Sequence, residues 1–205
     1  MFADDMCLLA PTRSALELLM TEAAAFCTKL GLAFNPKKSR ILVFGKEKID
    51  LTKLKPILLN NSVVDFVTSI KYLGVTIVSD NGLCFSATCD IRSFYRASNS
   101  ILTSLNKPSD KVLIHLLYTN CVPIISHACD IKVFSARDMR DANTAINDAI
   151  RKIFTFNRWE SVRSLREGFH KKSIYKIFHT AREKFKLSLA SHRNSIIRCL
   201  DSNSE

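Results

Sequence analysis

The sequence predicts an α+β protein, β-rich with one long helix over residues 1–80 and all-α from 81 to 200. Three observations carry that expectation. Short apolar runs of strand length, rich in β-branched and aromatic residues, recur as far as Ile77. One stretch among them, 14–30, has helical spacing instead. Beyond the turn cluster Ser79-Asp80-Asn81-Gly82 the long apolar patterns have a helical period. The polar residues 201–205 read as a disordered tail.

Met6-Cys7-Leu8-Leu9-Ala10 is an apolar run of strand length after Asp4-Asp5, whose acids suit a tight turn. Ser14 and Glu17 match the Ser-x-x-Glu capping box of a helix start. Leu16, Leu19, Ala23, Phe26 and Leu30 follow at helical spacing, and Gly31 stands where a helix stops. Strands are expected over 40–45, 62–67 and 71–78. Gly74 lies inside the last, where a glycine marks a bulge or a close backbone approach. Helices are expected over 86–105, 110–121, 136–156 and 173–200. Ser109 and Asp110 suit a helix start, and Pro108 and Pro123 read as breaks. Met139, Ala142, Ala145, Ile146, Ala149, Ile150 and Ile153 keep one helical face.

Charge is uneven along the chain. The formal net charge is +11, yet residues 1–105 hold 12 Lys and Arg against 9 Asp and Glu. Residues 151–200 hold 13 against 3. So dense a basic stretch is the electrostatic footprint of phosphate contacts, or a solvated helix face. Arg151, Lys152, Arg158, Arg163, Arg166, Lys171 and Lys172 are the candidate nucleic-acid-binding residues. Phe154, Phe156, Trp159, Phe169, Tyr175, Phe178 and Phe185 are interleaved with them. Some of these rings suit base stacking. The spacing of Tyr175, Phe178 and Phe185 points to one buried helix face.

The seven cysteines include no Cys-x-x-Cys pair and follow no secretory signal, so reduced thiols in the cytoplasm or nucleus are expected. Cys7 and Cys27 read as small core residues. His127-Ala128-Cys129-Asp130 lacks zinc-ligand spacing. The most apolar runs, near 112–118 and 122–125, are far shorter than the roughly 20 residues a membrane helix needs.

Three blocks in order carry a family resemblance. They are Phe2-Ala3-Asp4-Asp5 with Leu8-Leu9-Ala10, then Gly31-Leu32-Ala33-Phe34-Asn35-Pro36-Lys37-Lys38-Ser39, then Lys71-Tyr72-Leu73-Gly74-Val75. Together they resemble the second half of a reverse transcriptase palm of the non-LTR, LINE-type retrotransposon kind. The resemblance implies a partial polymerase palm over 1–80 and a helical thumb and connector over 81–200. It implies an RNA-directed DNA polymerase in the full-length family, working by two-metal nucleotidyl transfer with Mg²⁺ or Mn²⁺ on an RNA template and a DNA primer. Asp4 and Asp5 would be catalytic metal ligands, with Asp4 ranked first, and Phe2 and Ala3 would shape their turn. Lys38 would sit beside the incoming nucleotide, or else be a surface lysine. Asn35 would organise the turn before Pro36. Tyr72, Leu73 and Gly74 would form the primer grip.

The family's third catalytic aspartate and its fingers precede these blocks. The expectation is therefore a fragment that holds no metal stably and does not polymerise alone, unless an upstream polymerase fragment acts in trans. Two alternatives stand beside it: a non-enzymatic nucleic-acid-binding remnant, and a translated relic with no function.

Overall fold

The computed structural model describes residues 4–45, 50–79, 82–106, 108–194 and 197, and its fold is α+β. The chain divides into two units: the described residues within Met1–Ile70 and Val78–Leu83, and those within Lys71–Ile77 and Cys84–Glu205.

In the first unit, helix α1 (Arg13–Lys29) precedes strands β1 (Arg40–Leu42), β2 (Ile57–Leu59) and β3 (Ser62–Val67). The strands form one sheet in the order β1-β3-β2. β1 runs parallel to β3, with Ile41 opposite Phe66, and β2 pairs antiparallel, with Leu58 opposite Val63. Asn60 and Asn61 close the β2–β3 hairpin, both in the left-handed region at φ 50° and 60°. That geometry suits a two-residue turn of the primed type, which asparagine tolerates. α1 packs on β2. Met20, Ile41, Ile57, Leu59 and Val64 are buried, with Leu8, Leu16, Ala24 and Phe34 against them.

Several expectations for this unit are corrected. The cap of α1 is Thr12, whose Oγ1 accepts from the Ala15 amide at 3.2 Å. Glu17 pairs with Arg13 at 2.8 Å and takes no part in a capping box with Ser14. The buried face runs through Leu16, Met20, Ala24 and Cys27, while Leu19, Phe26 and Leu30 are exposed. α1 is apolar on both faces, so spacing alone does not select the inward one. Gly31 does end the helix. At φ +71° it lets its own amide reach Thr28 O and the Leu32 amide reach Cys27 O, the paired bonds of a Schellman stop. Residues 6–10 form no strand. Their burial alternates, Leu8 inward and Leu9 outward, without the backbone ladder that makes a strand, and Cys7 is exposed. β1 is shorter than expected, and the three-residue β2 was too brief to stand out.

The expected strand over 71–78 is two strands, β4 (Ser69–Tyr72) and β5 (Val75–Ser79), joined by a tight turn at Leu73-Gly74. β6 (Leu83–Phe85) completes a second sheet in the order β4-β5-β6. Within the turn cluster 79–82, Asp80 and Asn81 lie outside the described residues.

The second unit is helical: α2 (Thr88–Ser104), α3 (Asp110–Leu116), α4 (Val122–Ser126), α5 (Ala136–Ile153), α6 (Arg163–Gly168) and α7 (Ile174–Ala190). α2 packs on α5 and α4, and α7 on α5 and α4. Phe94, Ile125, Ile150 and Ile174 are fully buried at the centre. Each contributes on the order of 1.5–3 kcal/mol by leaving water. The face expected for α5 is the one buried, except that Met139 is only half-buried. Ser135 caps it, accepting from the Asp138 amide at 3.1 Å.

Pro123 does not break the helix as expected. A π-turn, Leu117–Cys121, joins α3 to α4, and the Val122 amide reaches back five residues to Leu117 O. The wider turn leaves room for the proline ring at the first turn of α4, where its missing N–H costs least. α7 stops at Ala190, ten residues before the end expected for it, and residues 195, 196 and 198–205 lie outside the described residues. α6, six residues long, was not foreseen. Among the described residues, no helix is long and apolar enough to cross a membrane.

One polar contact lies inside this core. Lys132 Nζ is 2.7 Å from Asp90 Oδ2, with side chains 1% and 12% exposed. The ammonium also lies 5.8 Å from the Phe134 ring centroid, and Arg182 donates to Lys132 O at 2.8 Å. Removing either charge strands the other in the interior. Asp90→Ala or Lys132→Ala should each lower stability by about 3–5 kcal/mol in denaturant titration. Asp90→Leu combined with Lys132→Met should recover most of that loss, and a double variant as weak as the singles would contradict this account.

Candidate nucleic-acid interface

The basic stretch folds into a recess of about 670 Å³ in the second unit. Five cations line it, Arg163, Arg166, Lys171, Lys172 and Lys176, against one carboxylate, Glu167. Asn143, His170, Ser173 and Tyr175 complete the wall.

Local backbone chemistry gathers these side chains. α6 ends in a Schellman turn: the Lys171 amide donates to Arg166 O at 2.8 Å and the His170 amide to Glu167 O at 2.9 Å. His170 takes the left-handed position at φ 52°. The reversal carries Lys171 and Lys172 back toward Arg163 and Arg166. Ser173 then caps α7, its Oγ accepting from the Lys176 amide at 3.3 Å. α5 supplies the remaining wall, with Arg166 Nη1 donating to Asn147 Oδ1 at 3.2 Å.

The charges of the recess are largely uncompensated. Arg163 Nε meets Glu167 Oε1 at 2.9 Å, a pair exposed on both sides. Among the described residues, no carboxylate lies within ion-pair distance of Arg166, Lys171, Lys172 or Lys176. Lys171 rests over the Tyr118 ring, 5.4 Å from its centroid, which orients the ammonium without neutralising it. A recess lined this way favours a ligand with several negative charges.

The structure thus brings together four of the seven expected basic residues, Arg163, Arg166, Lys171 and Lys172, and adds Lys176. The other three lie outside the recess. Arg151 binds Asp148 at 2.9 Å and donates to Glu160 O at 3.0 Å, a structural clasp. Lys152 reaches Asn99 Oδ1 at 3.1 Å, and Arg158 is exposed. Among the aromatics, Phe178 is core and packs on Phe134, while Phe154 packs on Phe169. Tyr175 is 47% exposed despite its spacing from Phe178, and Trp159 is 82% exposed. Lys176 lies in the basic stretch, in the first turn of α7, where sequence spacing gives no sign that it lines the same recess as Lys171.

The residues of the three sequence blocks are placed as follows. Asp4 and Asp5 are exposed at the start of the described chain, and Phe2 and Ala3 lie outside it. Two adjacent carboxylates supply hard oxygen donors. Among the described residues, however, no cluster of three or more His, Cys, Asp or Glu side chains is gathered there or elsewhere. A two-metal centre needs more ligands held on rigid elements, so these two residues do not fit one by themselves. Lys38 is exposed in the turn that Asn35 organises: Asn35 Oδ1 accepts from the Lys37 amide at 3.0 Å, and its carbonyl accepts from the Lys38 amide at 3.1 Å.

Tyr72, Leu73 and Gly74 form the β4–β5 corner, which the sequence did not link to any distant residue. Leu73 and Gly74 both have positive φ, 47° and 80°. His127 Nε2 donates to Leu73 O at 3.0 Å. A Cβ on Gly74 would fall 2.8 Å from that same nitrogen. The close backbone approach expected at Gly74 is thus made by a histidine side chain.

No protein family model, curated protein or solved structure matches this chain.

Two outcomes follow from these contacts. Gly74→Ala should destabilise the second unit by about 2 kcal/mol, from left-handed strain together with displacement of the His127 ring. Adding His127→Ala should remove only the steric part, so a double-mutant cycle of denaturation energies should be non-additive. The second outcome concerns Tyr118, whose buried hydroxyl has no hydrogen-bond partner among the described residues. Burial pushes this phenol up to about 12, an effect that nearby Arg166 opposes. An unfolded tyrosine ionises near 10, so stability present below pH 10 is lost as pH rises from 10 toward 12. Tyr118→Phe should leave stability at pH 7 unchanged or higher and flatten that alkaline loss, as read from melting temperature against pH.

Proposed function

We propose that this chain is a palm-and-thumb portion of a reverse transcriptase of the non-LTR retrotransposon type, and that its own residues serve to bind nucleic acid. The observation that carries the binding function is the basic recess. Five cations from three segments converge there with a single carboxylate to offset them. Such an excess of positive charge suits a phosphodiester backbone. The three ordered sequence blocks support the family assignment. A β-rich region ahead of a helical one is compatible with palm followed by thumb.

In this reading Asp4 and Asp5 contribute ligands to a two-metal centre that the described residues do not complete. RNA template and DNA primer are the partners. Mg²⁺ or Mn²⁺, when bound in a completed centre, would stabilise the attacking and leaving oxygens of nucleotidyl transfer. Lys38 belongs beside the triphosphate and the Tyr72–Gly74 corner beneath the primer end.

The purified chain should bind a short primer–template duplex with affinity that falls steeply with salt, the log–log slope being about −0.9 per phosphate contact. Affinity that is flat in salt would remove the basis of the proposal. In primer extension with Mg²⁺ or Mn²⁺ the chain alone should incorporate no nucleotide. Incorporation that Asp4→Asn abolishes would show a complete centre.

A further inference from the structure

We infer that the recess formed by α5, α6 and the start of α7 takes a single strand, with the backbone on its lysines and a base on Tyr175. This rests on the nucleic-acid reading above and deepens it.

The shape of the site favours a single strand over a duplex. Its cations line a concavity of about 670 Å³, comparable to a small-molecule cleft. A duplex presents its phosphates on a broad convex surface and would touch only the rim of such a cleft. A single strand bends into it, its bases free to turn away from the backbone.

The chemistry of the wall agrees. Tyr175 stands among the cations and is 47% exposed, although Phe178, one turn further along α7, is buried. An exposed ring between phosphate-binding lysines is a stacking surface for an unpaired base, and stacking requires no particular base. Asn143 and His170 add donors and acceptors that a smooth cationic patch would lack. Lys171 is held over Tyr118 and not against a carboxylate, so a phosphate entering the recess need not displace a salt bridge to reach it.

The test uses the full chain with labelled oligouridylate and a duplex RNA of equal length, in fluorescence anisotropy over a salt series. Oligouridylate should bind about tenfold tighter than duplex. Tyr175→Ala should weaken the single strand about tenfold without changing its salt slope, and Tyr175→Phe should retain binding. Lys171→Gln and Lys172→Gln should each lower the slope by about 0.7. Tyr175 and Lys172 are exposed and Lys171 is half-buried over Tyr118, so circular dichroism melts check that the variants fold. Equal or tighter duplex binding, with Tyr175→Ala silent, overturns the single-strand inference and leaves nucleic-acid binding standing. Inorganic polyphosphate competing as well as oligouridylate at equal phosphate overturns it too, because charge alone would then suffice. Salt-dependent binding to neither strand form removes both readings.

Discussion

The helical unit is organised around the ammonium of Lys132. It lies on the connection between α4 and α5, inserts into the core, and ends against the carboxylate of Asp90 in the first turn of α2. An acid there also meets the positive end of the helix dipole. The Lys132 carbonyl is claimed by Arg182 from α7. One residue therefore ties the connecting segment to two helices through opposite ends of its own structure. Apolar side chains of similar size could fill the same volume with equal stability, but they would accept several arrangements. A desolvated charge accepts only the arrangement that supplies its counter-ion, so the pair fixes which packing the helices adopt.

Against that neutralised interior stands an uncompensated surface. The recess owes its geometry to backbone events: a left-handed His170 that reverses the chain and a serine cap that restarts it. Neither feature is itself charged. The result is that residues spread from 163 to 176 converge in one concavity, and their mutual repulsion is relieved by one weak surface pair. A site assembled by turns within fourteen residues depends on long-range packing at two places, the hold of α5 through Asn147 and the seat of Lys171 on the Tyr118 ring.

Much of this was legible in the sequence where local chemistry decides. The Gly31 stop, strand 62–67, the inward face of α5 and the role of Asn35 all follow from signals within a few residues. Legibility failed where the deciding partner is remote. Asp90 and Lys132 are 42 positions apart, and each alone looks like an ordinary solvated charge. His127 and Leu73 are 54 apart, so the reason for a glycine at 74 was visible only as a need for space, not as the ring that fills it. The face of α1 was misassigned because an apolar helix offers two plausible faces. Tyr175 shares Phe178's period yet lies outside the core, since a charged recess and not a helix occupies the space beside it. The basic residues form one stretch in the sequence, but which of them share a surface depends on the turns at 154–157 and 169–173, where the left-handed residues are Thr155 and His170 and not glycines.

The π-turn at 117–121 has a consequence for how this chain can drift. Such a turn is an α-helix carrying one residue more than its hydrogen-bond pattern needs, and a single-codon deletion would in principle restore the regular helix. Here the deletion would press the ring of Pro123 against the carbonyl of the preceding turn. It would also rotate Val122 and Ile125 about a quarter-turn away from the core that now buries them. The proline therefore holds the insertion in place: while Pro123 stands at the first turn of α4, the extra residue cannot be lost without harm, and the irregular helix works as a ratchet against its own repair.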